Sequence, residues 1–296
     1  MIRYTMLLLS SLQVVCCLGQ KSLYEYSTAP DREFYKNVEI HCSLLSDFKR
    51  PVAKGQLTAE QLPLSKIGLL TFAHVETDFN SKKALFAYTH GPESSLNLIS
   101  HIYNSSYHHL EDTLKAASVE LLLPQDYLQT ANAKASFHNT QALINDLARK
   151  RVKLLDVLES NRLHNTPEGI DFIASTLSEG DHQKIVNEIG TLCKKLQLDA
   201  MLTVQVTTEH FNYALALQSI VFHLVVPHPL PDDKGKQVGY RLATYHYLHP
   251  APIGFIGLKK GTEVTGEDYR AFPHLISRSG SDLFRFLQEE LAILFE

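Results

Sequence analysis

The clearest pattern of apolar and polar residues lies two thirds of the way along the chain. Between residues 202 and 207 apolar and polar residues alternate, which predicts a strand with one dry face and one polar face. The apolar members are Leu202, Val204 and Val206, and the polar members are Thr203, Gln205 and Thr207. Before this strand, apolar residues recur at helical spacing from residue 185 to residue 196, which predicts an amphipathic helix. Asp199 falls between the two and is interpreted as a turn residue that aims the strand.

Similar patterns predict the remaining elements. Residues 66–79 predict a buried strand, residues 84–89 a short partner strand, and residues 96–114 a helix. Residues 119–124 predict a short strand that ends at a proline, and residues 214–226 and 238–249 predict two antiparallel strands. Right-handed crossovers would place the helices that contain Leu96 and Ile185 on one face of the sheet.

The order of these elements predicts the fold class. Alternating strands and helices are followed by consecutive strands, which is typical of an α/β (α+β) fold. We expect a mixed β-sheet with an antiparallel C-terminal meander, helices packed on it, and a helical insertion between the second and third core strands. The predicted boundaries are an N-terminal leader segment at residues 20–64 and a single α/β domain at residues 65–296, with the insertion at residues 130–180.

The first residues have the pattern of a secretory signal peptide at residues 1–19. Arg3 precedes an apolar run that ends at Leu18, and the small residue Gly19 follows, so cleavage after Gly19 is expected. A lipid anchor at Cys16 or Cys17 is the alternative. No later stretch has eighteen consecutive apolar residues, so no transmembrane span is expected in the mature chain.

Charge and cysteine content narrow the function classes only slightly. The 296 residues carry a formal net charge of −4 and no long basic run, which argues against nucleic-acid binding. Cys42 and Cys193 remain in the mature chain, and either one disulfide or two buried thiols would fit an exported protein.

Fifteen histidines are the unusual feature of the composition. His74 and Glu76 share one face of the first predicted strand, while His223 and His246 fall on later strands. If these strands were neighbours, the four side chains could bind zinc. The alternative is a polar sheet face on which each histidine makes a single hydrogen bond. The sequence contains none of the common nucleotide-binding, nucleophile-elbow or zinc-protease motifs, so no catalytic residue is predicted.

A glycine-rich stretch at residues 252–266 offers a second kind of site. It carries the apolar residues Phe255, Ile256 and Leu258 between glycines. Exposed apolar clusters mark interaction sites, so a partner-binding flap is one interpretation. A loop tucked under the last helix is the other.

Three segments together resemble a group of envelope proteins. They are KIGLLTF at residues 66–72, VELLLPQDYL at residues 119–128 and LCKKLQLDAMLTVQV at residues 192–206. The group contains the TolB amino-terminal domain and the CsgG and LpoB lipoproteins. The resemblance implies a small α/β sandwich related to anticodon-binding domains, acting as a non-catalytic partner-binding module. Gln197 stands where the group usually has glycine, and the insertion before the last segment is long.

These observations predict an exported, non-enzymatic module of the periplasm or outer membrane that binds another envelope protein. A metal-dependent zinc hydrolase that uses a His/Glu-lined sheet face is the first alternative. A small-ligand-binding protein is the second.

Overall fold

The computed structural model describes residues 22–77, 84–159, 163–173, 179–211, 214–230, 237–257 and 269–296. Its helices, in chain order, are α1 (Leu23–Ser27), α2 (Asp31–Phe34), α3 (Leu44–Ala53), α4 (Ala84–Ala116), α5 (Pro124–Tyr127), α6 (Ala131–Glu159), α7 (Glu179–Leu196) and α8 (Ala271–Phe295). Its strands are β1 (Val38–Cys42), β2 (Lys66–Thr77), β3 (Glu120–Leu122), β4 (Leu163–Asn165), β5 (Ala200–Phe211), β6 (Ala214–Pro227) and β7 (Gly239–Gly257). Single turns of 3₁₀ helix lie at Tyr35–Asn37 and Ala59–Gln61.

The strands form one mixed sheet in the order β1-β7-β6-β5-β2-β3, and β4 also pairs with β2. Strand β2 runs parallel to β3 and β5, whereas β5, β6, β7 and β1 pair antiparallel in succession. The predicted α/β class is therefore confirmed, with its mixed sheet, its antiparallel C-terminal meander and helices packed on it. Helix α6 lies in the predicted insertion, between β3 and β5.

The two faces of the sheet carry different helices. On one face, here the α4/α8 face, the side chains of α4 and α8 join the larger apolar core with Leu202, Val204 and Val206, which are fully buried. On the opposite face, α7 packs Ile185 and neighbouring apolar residues on Met201, in a smaller core. Pairing alternates side chains between faces, so Thr203, Gln205 and Thr207 point to this second face, as predicted.

Helices α4 and α7 thus lie on opposite faces, and the expectation of a shared face was wrong. The reason lies in the strand order, because β3 and β5 flank β2 on opposite sides. The chain crosses the sheet in one direction from β2 to β3 and returns in the other direction from β3 to β5. Right-handed connections that run in opposite directions place their helices on opposite faces.

The N-terminal segment is part of the same fold. Strand β1 pairs with β7 from Val38 to Cys42, and Leu23, Phe34, Leu44 and Phe48 belong to the larger core. The expected boundary at residues 64 and 65 therefore does not mark the edge of the packed core. A leader that buries these residues contributes to stability through the apolar area it removes from water.

Arg278 of α8 fastens this segment to the rest of the protein. Its guanidinium lies 4.0 Å from the ring centroid of Phe34, donates a hydrogen bond of 2.9 Å to the carbonyl of Ala29, and pairs with Asp31. Tyr35 donates a hydrogen bond of 2.7 Å to the buried carboxylate of Asp282, also on α8. The segment is thus anchored by the guanidinium of Arg278, through its planar face and its N–H groups, and by the hydroxyl of Tyr35.

Two structural features form the junction between α7 and β5. Gln197 has a φ of 57°, and the amide of Leu198 donates to the carbonyl of Cys193 at 3.0 Å, so the helix ends in a Schellman motif. Asp199 then accepts three hydrogen bonds, from the amides of Ser65 and Lys66 at 3.0 and 2.8 Å and from the Ser65 hydroxyl at 2.8 Å. Asp199 is therefore more than a turn residue, because it fixes the start of β2 beside the start of β5.

Helix α7 crosses β7 at backbone contact. A methyl group on Gly190 would collide with the backbone of Gly239, and one on Gly239 would collide with the carbonyl of Val186. The Asn187 side chain closes the contact, since its oxygen accepts hydrogen bonds from the amides of Val238 and Gly239 at 3.0 and 3.1 Å. This crossing holds the first turns of α7 above the start of β7.

Several local expectations have definite outcomes. Residues 84–89, expected as a short strand, instead form the start of helix α4, which runs from Ala84 to Ala116. Cys42 and Cys193 are free thiols on opposite faces of the sheet, as their membership of the two separate cores requires. The proposed signal peptide and the lipidation candidates Cys16 and Cys17 lie outside the described residues. In the part of the chain described, we find no helix with the length and apolar character needed to cross a membrane.

Candidate functional site

The face of the sheet opposite α4 and α8 carries two rows of mainly polar side chains. The first row crosses five strands and consists of Thr71, Thr203, His223, Thr244 and His41. The second row, one pair along, consists of Ala73, Gln205, Val221, His246 and Glu39. We call the side of the sheet from which these rows project the polar face. Burial falls from β2 toward β1, from the fully buried Thr71 to the exposed His41.

The structure brings together only part of the predicted metal site. His223 and His246 are diagonal neighbours on β6 and β7, on the polar face. His74 lies on β2 with its side chain on the α4/α8 face, two strands away from His223 and three from His246. It is fully buried there, with its Nε2 2.7 Å from the hydroxyl of Thr208. The side chain of Glu76 lies outside the described ones, and its position on β2 shares the face of His74.

The four predicted ligands are therefore divided between two faces of the sheet. Period-two alternation puts His74 and Glu76 on one side and His223 and His246 on the other. Among the described residues, no group of three or more His, Cys, Asp or Glu side chains is placed to hold a metal ion.

Two charged or titratable residues join His223 and His246 on the polar face, and sequence reasoning missed both. Arg241 pairs with Val225, two residues beyond His223, after a register shift between Leu224 and Val225. The shift puts Arg241 on the polar face even though Thr244 occupies that face three residues later. The alternation of residues along β7 does not predict the position of Arg241, because the register shift is a property of the pairing between β6 and β7.

His182 comes from the first turn of α7. The adjacent residue Gln183 donates a hydrogen bond of 3.2 Å from its amide to the carbonyl of Gly239, which places this turn over the start of β7. No pattern within residues 179–196 could have shown which strand lies below. We call the group formed by His182, His223, His246 and Arg241 the His–Arg cluster.

Burial and the guanidinium control the charge of the cluster. Burial, and then the positive charge of Arg241, lower the pKa of His223 to about 3 and that of His182 to about 4. Burial also lowers the pKa of His246, which the carboxylate of Glu39 opposes and His41 reinforces. At neutral pH the imidazoles of His223 and His182 are therefore uncharged, while Arg241 keeps its positive charge.

Several polar atoms at the cluster are buried and unpaired. Within the described ranges of the chain, the hydroxyls of Thr71 and Thr203 and the Nε2 atom of His182 have no hydrogen-bond partner, and both threonines are at most 1% exposed. Thr203 of β5 pairs with His223 of β6 on one side and with Thr71 of β2 on the other. His223 itself uses Nδ1 in a contact of 3.0 Å with the hydroxyl of Thr244. A buried polar group without a partner costs about 1–3 kcal/mol, so a ligand or solvent that satisfies these atoms would be stabilised.

The predicted partner-binding residues lie at the far end of β7. Phe255 and Ile256 belong to that strand, so residues 252–257 form strand rather than the expected flap or loop. Ile256 pairs with Leu215, and Phe255 falls at a register shift between Leu215 and Ala216. The side chains of Phe255 and Ile256, and the whole of Leu258, lie outside the described part of the structure.

Comparison of the chain with protein-family models, with curated proteins and with solved structures gives no match. The resemblance to the TolB, CsgG and LpoB group therefore stays a prediction that rests on three short segments.

Proposed function

We propose that the chain is an exported, non-enzymatic module of the cell envelope that binds another protein through the outer part of its polar face. The observation that carries the proposal is the composition and exposure of this face on β1 and β7. Glu39 and His41 of β1 have side chains 68% and 73% exposed, and Leu248 of β7 is 47% exposed. Partly buried Val221 and His246 fill the space beside them.

This combination has the character of a protein interface. Imidazoles and aliphatic side chains supply contact area, while Glu39 and Arg241 supply charges of both signs that can fix the orientation of a partner. A β-sheet also holds its side chains on a rigid support, so the surface is organised before the partner arrives. Export and an envelope partner are supported by the signal pattern at residues 1–19 and by the resemblance of the three segments.

Site-specific photo-crosslinking in the native host tests the proposed surface. A photoreactive residue is placed at Leu248 and, as controls, at Ile293 on α8 and Leu143 on α6, which are 60% and 44% exposed. We expect the Leu248 position to give one adduct of defined mass, and the two controls to give none of that mass. The same adduct should disappear when Val221→Asp accompanies the probe at Leu248.

Two results would contradict the proposal. Adducts of equal yield from Leu248 and Ile293 would show that contact is not specific to the polar face. Recovery of the chain in the cytoplasm with residues 1–19 still attached, as seen by mass spectrometry after fractionation, would remove export.

A further inference from the structure

We propose that the His–Arg cluster, together with the hydroxyl of Thr203, binds a small carboxylate. This inference goes beyond the proposed partner binding. Arg241 and His246 of β7 belong to both sites. The partner surface, however, extends outward to Glu39 and Leu248, whereas the carboxylate would lie inward, between β7 and Thr203 of β5.

His223 is the common neighbour of all the groups involved. Its position on β6 is flanked by Thr203 on β5 and by Thr244 on β7, and His246 lies diagonally on the same face. Arg241 of β7 pairs with Val225, which lies two residues after His223 on β6. His182 lies above this end of β7, because the adjacent Gln183 donates a hydrogen bond to the carbonyl of Gly239. Four elements, β5, β6, β7 and α7, therefore supply polar groups around one imidazole.

The charges at the cluster favour an anion. Of the residues that the structure describes, the charged or titratable groups that act on His223 are Arg241, His182 and His246, and all three can carry positive charge only. Glu39 of β1, the acidic residue of the two rows, acts on His246, together with His41. A cation at His223 would meet the guanidinium of Arg241, whereas an anion would pair with it.

The number of charges favours a carboxylate over phosphate. Arg241 is the one permanently charged side chain in the cluster, and the imidazoles of His182 and His223 are uncharged at neutral pH. One guanidinium matches the single charge of a carboxylate and presents two parallel donors to its two oxygens. The hydroxyl of Thr203, buried and unpaired on the same row as His223, adds a neutral donor that costs no desolvation when the ligand binds.

The test follows the imidazole signals of the ¹⁵N-labelled mature chain by NMR during titration with acetate. We expect saturable shifts of the His223 and His182 signals, with a dissociation constant in the millimolar range. Inorganic phosphate, in a separate arm at the same ionic strength, should bind more weakly. Arg241→Gln should weaken acetate binding about tenfold or more, while Arg50→Gln, a control at an exposed arginine of α3, should leave it unchanged.

Thr203→Val keeps the inference testable even if Arg241→Gln disturbs the fold, since removal of an unpaired hydroxyl should leave the fold intact. It should weaken acetate binding by about three- to tenfold. Shifts that stay linear to high acetate, or equal affinities of the parent, Arg241→Gln and Thr203→Val proteins, would overturn the inference, and tighter binding of phosphate would overturn the assigned ligand class. The Leu248 crosslink and the Thr203 dependence of acetate binding are separate measurements, so the two proposals can fail separately.

Discussion

Two threonines of β5 differ in one respect that stability measurements can detect. Thr203 and Thr208 are both at most 1% exposed, but they lie on opposite faces of the sheet. In the part of the chain that the structure describes, the hydroxyl of Thr203 has no hydrogen-bond partner, whereas the hydroxyl of Thr208 is 2.7 Å from Nε2 of His74. Replacement of each by valine preserves the shape of the side chain and removes only the hydroxyl.

The two substitutions should change the free energy of unfolding in opposite directions. Burial of an unpaired hydroxyl costs about 1–3 kcal/mol, so Thr203→Val should raise the free energy of unfolding by about 1 kcal/mol or more. Valine also has a high preference for strands, which adds to the gain. Thr208→Val removes a buried hydrogen bond to His74 and should lower the free energy of unfolding by about 1–3 kcal/mol.

Urea denaturation followed by circular dichroism measures both effects, since the chain contains no tryptophan for a fluorescence assay. The slope of the free energy against urea should be the same in parent and variants, which shows that the folded state keeps its compactness. A fall of 1 kcal/mol or more in Thr203→Val would refute the reasoning, because it would mean that the hydroxyl is hydrogen-bonded in solution. Equal effects of the two substitutions would refute the assignment of the two faces.

Four further predictions concern stability. Because His223 and His182 have folded-state pKa values of about 3 and about 4, below the ordinary value of 6.5, the unfolded chain binds more protons in acid. Stability should therefore be full above about pH 6.5 and fall as the pH decreases toward 3, and His223→Gln should make urea midpoints less dependent on pH. Gln197→Gly should raise the free energy of unfolding by about 1 kcal/mol, since glycine adopts a φ of 57° without strain, whereas Gln197→Ala should not. Asp199→Ala should lower it by about 1–3 kcal/mol through loss of three hydrogen bonds, and Asp199→Asn by less, because the amide oxygen can still accept. Gly190→Ala should lower it by about 1–3 kcal/mol or more in the same urea assay, because the added methyl group would separate α7 from β7; an unchanged midpoint would contradict that close contact.

Burial keeps the imidazoles of the sheet from repelling one another. It lowers the pKa values of His223 on β6 and His246 on β7, and the charge of Arg241 lowers that of His223 further. The same arrangement makes the cluster sensitive to any ligand that cancels the guanidinium charge. An anion bound there would raise the pKa of His223, so its binding should be accompanied by proton uptake in mildly acidic buffer.

Local patterns of apolar and polar residues are enough to predict most elements and the two faces of a single strand. The alternation at residues 202–207 predicts the buried and polar sides of β5, because successive side chains of a strand point to opposite faces. The helical spacing of apolar residues from 185 to 196 likewise predicts the buried stripe of α7. These predictions succeed because each depends only on neighbouring residues in one element.

Which residues meet depends on strand order, register and helix docking. Alternation along β2 places His74 and Glu76 on one side of their own strand, but it cannot relate that side to the side of His223 on β6, because register and strand order fix the relation. Arg241 reached the polar face through a register shift, and His182 reached it through the docking of α7 at a glycine contact. Pairing and docking depend on residues far apart in the chain. Of the four residues in the His–Arg cluster, only His223 and His246 could therefore be predicted from the sequence.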